Sequence, residues 1–201
     1  MFRPLNSLVY KNALPDQDMC VAACLKASID QSFGKNVVSI GMLNKAGRYK
    51  KAWGTPLDQF ARKANVELQK KNLEVIAQVY AAPNVSQLKA LLQKNINPVI
   101  VVPWLDFLKW KGDATVIIPE DIPPEDLQYH ALTVVDVDDQ SVLVYDPDCS
   151  YREADLNNRE SYTRIDFPTL YQLWGKALHR TFWPTKLNAR QDPQQTKLPP
   201  A

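Results

Sequence analysis

Pro15-Asp16-Gln17-Asp18-Met19-Cys20-Val21-Ala22-Ala23-Cys24-Leu25-Lys26-Ala27-Ser28-Ile29 is the stretch on which the reading of this chain turns. Asp16 and Asp18, just after Pro15, offer carboxylates that can cap the unpaired amides of a first helical turn. From Met19 to Ile29 helix formers and small core fillers run nearly all round the helix, which marks it as buried and central. Gly34 ends it. Cys20 therefore stands at a helix start. A thiol there meets the positive end of the helix dipole and unpaired backbone amides, both of which favour thiolate. The plainer reading of such a cysteine is a small core hydrophobe. Cys24, one turn later inside the helix, lacks the exposed end and reads as packing.

Working outward, Val38 to Leu43 reads as a second short helix, and Gly54-Thr55-Pro56 as the capped start of a third carrying Leu57, Phe60, Ala61 and Ala64. Beyond that the period changes. Leu73 to Tyr80 predicts a strand, and Ser86 the cap of a short helix with Leu88, Leu91 and Leu92 inward. Asn97-Pro98 breaks it, and Val99 to Val102 is a β-branched run suited to a central strand. Ala131 to Val137 and Ser141 to Tyr145 flank the turn signal Asp138-Asp139 and predict an antiparallel hairpin. Pro168 to Leu173 reads as a helix and Ala177 to Trp183 as a last strand, with His179 in it as a structural histidine. Helices first and a mainly antiparallel sheet afterwards describe an α+β domain. Between Trp104 and Gln128 the periodicity fails and Pro119 and Pro123-Pro124 intervene, so the stretch reads as a long loop, a candidate lid or specificity edge. Trp104 and Trp110 either line a peptide groove there or pack beneath the loop.

Length and composition set the bounds. The 201 residues, 45% hydrophobic and 23% charged, suit one ordinary globular domain and exclude disordered, collagen-like and disulfide-scaffold classes. Twenty-four basic against 22 acidic residues leave a formal charge of +2, and the basic residues occur as isolated pairs such as Lys50-Lys51 and Lys70-Lys71. That is a solvated face, not a nucleic-acid footprint. No apolar run reaches membrane-spanning length, and Leu8-Val9-Tyr10 is too short for a signal-peptide core, so a cytoplasmic location is expected, with export by a route that needs no such signal left open. The domain is expected over residues 1–185. Residues 186–201 turn polar and rich in proline and glutamine, the composition of a disordered tail that could also hold a protein partner. Three cysteines and two histidines are all the sequence offers for nucleophilic or soft-metal chemistry. Zinc held by Cys20, Cys24, Cys149 and His130 is the competing use of them. A Cys-x3-Cys within an alanine-rich helix is poorly suited to that, so no metal and no cofactor is expected.

His130 opens the run His-Ala-Leu-Thr-Val-Val-Asp-Val, which predicts a histidine at a strand's first position with one face toward solvent, anchored yet accessible as a general base needs. Antiparallel pairing through a short turn returns the chain beside its start and sets Asp146, of Tyr145-Asp146-Pro147, near His130. Asp146 could then accept an imidazole N–H and fix the ring, although Asp-Pro at a strand end is also an ordinary turn.

A helix-start cysteine, then a strand-borne histidine, then a strand-end aspartate is the order of the papain-like cysteine peptidases. Gln17 to Leu25 resembles the cysteine box of the C39-type peptidases, which trim leader peptides from bacteriocins, and of their freestanding relatives. His130 through Asp146-Pro147 resembles their second box. Ser86 to Leu92 with Asn97 to Val101, and Gly54 to Leu57, are similar to the intervening elements, so the resemblance spans roughly residues 14 to 184. It implies a papain-like fold and a Cys20, His130, Asp146 triad that hydrolyses a peptide or amide bond. It further implies a peptide or protein substrate, for the leader-processing members often cut after Gly-Gly. Two positions depart from the pattern: Val21 replaces the usual glycine, and Leu14 stands where the oxyanion glutamine would lie, leaving Gln17, three before the cysteine, as the candidate. A degenerate peptide-binding module and a delivered cysteine-hydrolase toxin are the alternative readings.

Overall fold

The computed structural model describes residues 5, 20–34, 37–47, 57–112, 129–147 and 162–187. Three helices come first: α1 (Cys20–Phe33), α2 (Ile40–Gly47) and α3 (Leu57–Leu68). The order then becomes β1 (Leu73–Gln78), α4 (Val85–Gln93), β2 (Val99–Pro103) and α5 (Trp104–Lys111). After these come β3 (Tyr129–Val137), β4 (Ser141–Tyr145), β5 (Thr163–Asp166), α6 (Phe167–Lys176) and β6 (Thr181–Lys186). The strands form one six-stranded sheet in the order β1-β6-β2-β3-β4-β5, every described pairing antiparallel. This is the expected α+β architecture, helices packed on an antiparallel sheet.

Each face of the sheet carries its own core, as the alternation of side chains along a strand requires. Val99, Val101, Ala131 and Phe182 pack under α1, α2 and α3, with Leu25, Ile29, Phe60 and Leu68 buried above them. Ile100, Val102, Leu132 and Val134 point the other way, against Leu88 of α4, Phe107 of α5 and Leu170 and Trp174 of α6. β2 is covered on both faces, which is why its apolar run shows no alternation.

α1 behaves as its composition demands: every position from Ala22 to Asp30 is buried. Lys26 and Asp30, one turn apart, neutralise each other there as an ion pair. The helix ends at Gly34, whose φ of +100° only glycine adopts readily and whose N–H donates to the Asp30 carbonyl.

Several elements differ from the sequence expectation. The cap of α4 is Asn84, whose Oδ1 accepts from Gln87 N at 3.0 Å, and not Ser86, which lies within the helix. Asparagine satisfies an orphan amide of the first turn as serine would, two residues earlier in the chain. His179 is not in the last strand. It sits with Leu178 in a left-handed turn after α6, at φ of 48° and 55°, and its ring meets Trp174 edge-on. β5 was not anticipated, since only Ile165 of its four residues is buried. The stretch expected to be a loop from Trp104 begins with helix α5. The Gly54-Thr55-Pro56 cap and residues 113–128 and 188–201 lie outside the described residues. Among the described residues, no helix is long and apolar enough to cross a membrane.

Candidate active site

The hairpin of β3 and β4 positions the site. Thr133 pairs with Tyr145, so one further step of the register sets Asp146 across from Leu132, diagonal to His130 on the same face. His130 Nε2 and Asp146 Oδ1 are 2.7 Å apart. A carboxylate can only accept, so Nε2 carries the proton and the neutral ring presents Nδ1 as its acceptor. Lys111 Nζ donates to the other carboxylate oxygen, Oδ2, at 2.9 Å. Burial by itself would push the Asp146 carboxyl up. The charges and hydrogen bonds of His130 and Lys111 outweigh it and hold the group well below the usual carboxylate range.

His130 departs from expectation in one respect. It is the second residue of β3, preceded by the exposed Tyr129, and only 3% exposed. The cover is α5. Phe107 stacks on the imidazole with ring centroids 5.8 Å apart, and Trp110 packs against Phe107 in turn. Phe107 and Lys111 are four residues apart, so one helix face meets both members of the His–Asp pair. Trp110 is partly exposed and Trp104 half-buried. The sequence does not single out Lys111, because its segment reads as a loop. The signals of a helix were nonetheless present: Asp106 in a first turn, Lys109 and Lys111 in a last one, and Gly112 directly after.

Cys20 is the first residue of α1 and half-buried at the edge of the core beneath that helix. α1 is pinned to β3 along its length. Cys24 Sγ donates to the Ala131 carbonyl at 3.2 Å, and Thr133 Oγ1 donates to the Cys24 carbonyl at 3.3 Å. One turn on, Ser28 Oγ donates to the Asn97 carbonyl, and Asn97 Nδ2 to the Val134 carbonyl at 2.9 Å. Helix and strand thus run in the same direction. A turn back from Cys24 is about 6 Å of helix, or two residues of strand, which brings Cys20 level with Tyr129 and His130. Cys20 packs against the core under α1, while the His130 ring stacks on Phe107 of α5. Cys24 is fully buried and engaged with β3, as a packing residue should be. Val21 is half-buried against the core under α1. Gln17, Leu14 and Cys149 lie outside the described residues.

By sequence the chain matches no family model and no curated protein. By structure it is similar to two solved proteins across most of its length. A crystal structure from Bacillus anthracis, described as a C39-like peptidase, superposes at a TM-score of 0.61 with 13% identity, covering 92% of this chain and 98% of that one. The peptidase domain of Streptococcus ComA, a bifunctional ABC transporter of a quorum-sensing pathway, superposes at 0.52 with 18% identity, covering 89% and 97%. At such identities the likeness speaks for architecture. The chain has the papain-like α+β fold of C39 peptidases.

Proposed function

We propose that the protein is a thiol-dependent hydrolase cleaving a peptide or amide bond through Cys20, His130 and Asp146. The observation that carries this reading is the His130–Asp146 pair, 2.7 Å apart, withdrawn from solvent and held at the end of β3 to which the opening of α1 is level. The resemblance to C39-type peptidases and the shared fold support it, and peptide substrates follow from the same likeness.

In this mechanism His130 Nδ1 takes the Cys20 proton. The thiolate attacks the substrate carbonyl, forming the C–S bond, and the developing oxyanion is held by the Cys20 backbone N–H and the Gln17 amide. His130 returns the proton to the leaving nitrogen as the C–N bond breaks. Water, losing a proton to His130 Nδ1, then attacks the thioester carbonyl; the C–S bond breaks and that proton returns to the Cys20 sulfur, restoring the thiol. Asp146 holds the ring in one tautomer and offsets its positive charge throughout. An amine in place of water would make the same machinery a transferase.

A second reading, a papain-like module retained for peptide binding, draws on Val21, packed against the core where the C39 pattern has glycine, and on Leu14 in the place of its oxyanion glutamine. Iodoacetamide labelling, with sites located by mass spectrometry on wild type and His130→Ala, separates the two. We expect Cys20 to label well ahead of Cys24 and Cys149, and that lead to vanish in the variant. A Cys20 that labels no faster than the other two would overturn the hydrolase reading.

A further inference from the structure

We infer that Lys111 is a positioning residue of this site, acting on His130 through Asp146 by dividing the aspartate's negative charge between two cations and so restraining the basicity of the imidazole. The inference rests on the proposed role of His130 and goes beyond it.

Three observations carry it. First, Lys111 and His130 take different oxygens of one carboxylate, Oδ2 at 2.9 Å and Oδ1 at 2.7 Å. Both oxygens being engaged, the carboxylate is fixed in plane and direction. Second, Lys111 is held for this task. It is the last residue of α5, its Nζ lies 5.3 Å from the Phe107 ring centroid, and that same ring stacks on His130. A cation over an aromatic face is attracted to it. Third, the place is nearly dry: the Asp146 side chain is 1% and the Lys111 side chain 26% exposed. Charges at such a site are screened far less than on the surface.

Asp106 of α5 is paired with Lys176 of α6 at 2.8 Å, the Arg180 guanidinium lies over the Tyr129 ring, and Lys109 points to solvent. Lys111 shares the carboxylate with His130. An aspartate serving His130 alone would stabilise the imidazolium more strongly and keep the ring protonated to higher pH, leaving less of it in the neutral form that can accept a proton from a thiol. The shared carboxylate orients the ring while leaving it easier to deprotonate.

The test is the protonation midpoint of His130, followed by NMR of its imidazole in Cys20→Ser protein so that no thiolate intervenes. The chain has only two histidines, and the resonance absent from His130→Ala identifies the one of interest. Lys111→Met removes charge and contact, Lys111→Gln removes charge but can still donate to Asp146, and Lys111→Arg retains both. We expect the midpoint to rise by about one pH unit in Met and Gln variants, about tenfold in proton affinity, and to stay at the wild-type value in Arg. Near-ultraviolet circular dichroism reports whether each variant is folded, and Gln serves if Met is not. An unmoved midpoint in a folded Gln or Met variant would overturn the inference. Failure of Cys20 to out-label Cys24 in wild type would instead strike the hydrolase reading and leave this titration intact.

Discussion

Asp146 gathers an imidazole and an ammonium around one buried carboxylate, and its substitution is felt in stability as well as in chemistry. Asp146→Asn leaves Lys111 and His130 without their shared counter-charge, and we expect a loss of about 2 kcal/mol at pH 5 by urea unfolding. The sign of its pH dependence follows from the depressed carboxyl. Such a group adds stability above the unfolded value near 4 and loses it as the pH falls toward its folded value. The gap between wild type and variant therefore narrows from pH 5 to pH 3, and a gap that widened would contradict the ion-pair account. That Asp146 returns to the neighbourhood of His130 was legible from the hairpin around Asp138-Asp139, but the face it takes was not: the register shifts between Val134 and Asp136, and a uniform hairpin would set Asp146 across from Thr133 on the other face. Burial of His130 was not legible. It comes from Phe107, a residue on another element whose arrival over the ring no local pattern encodes.

That element, α5, is the part of the site that local reading missed and the one easiest to loosen. Its N-cap position is Pro103, which makes no side-chain cap, so its start carries no Ser, Thr, Asp or Asn signal. Its end is better marked, because Gly112 takes φ of +74° and its N–H returns to the carbonyls of Leu108 and Lys109. A Cβ at Gly112 would meet nothing within 4 Å, so Gly112→Ala costs conformational energy alone. We expect about 1 kcal/mol, seen as a fall of about 2–4 °C in Tm. An unchanged Tm would mean that the left-handed cap carries no weight. α1 shows the opposite case. Its burial on all sides was readable from composition, and its bonds from Cys24 and Ser28 complete what the small residues permit, a close approach to β3 and the Asn97 turn.

Across the whole molecule the strand order holds the least predictable information. Periodicity marks strands one at a time and says nothing of neighbours, so the α+β class was legible while the insertion of β6 between β1 and β2 was not. β6 pairs with β1 from Leu73↔Lys186 to Gln78↔Thr181 and with β2 at Val99↔Phe182 and Ile100↔Thr181. It also carries Phe182 and Trp183 into the interior. A chain ending at Arg180 lacks all of this, and we expect it to show no cooperative unfolding transition by far-ultraviolet circular dichroism. A sharp transition in that truncation would mean that the remaining strands close without β6. The same placement bears on how the protein is born. Ribosomes release residues in order, and the strand that joins the two parts of this sheet emerges after the other described strands. Until it does, β1 and β2 present unsatisfied edges, so the sheet closes only once β6 has been made, and fragments that stop short of it are the dangerous, aggregation-prone species.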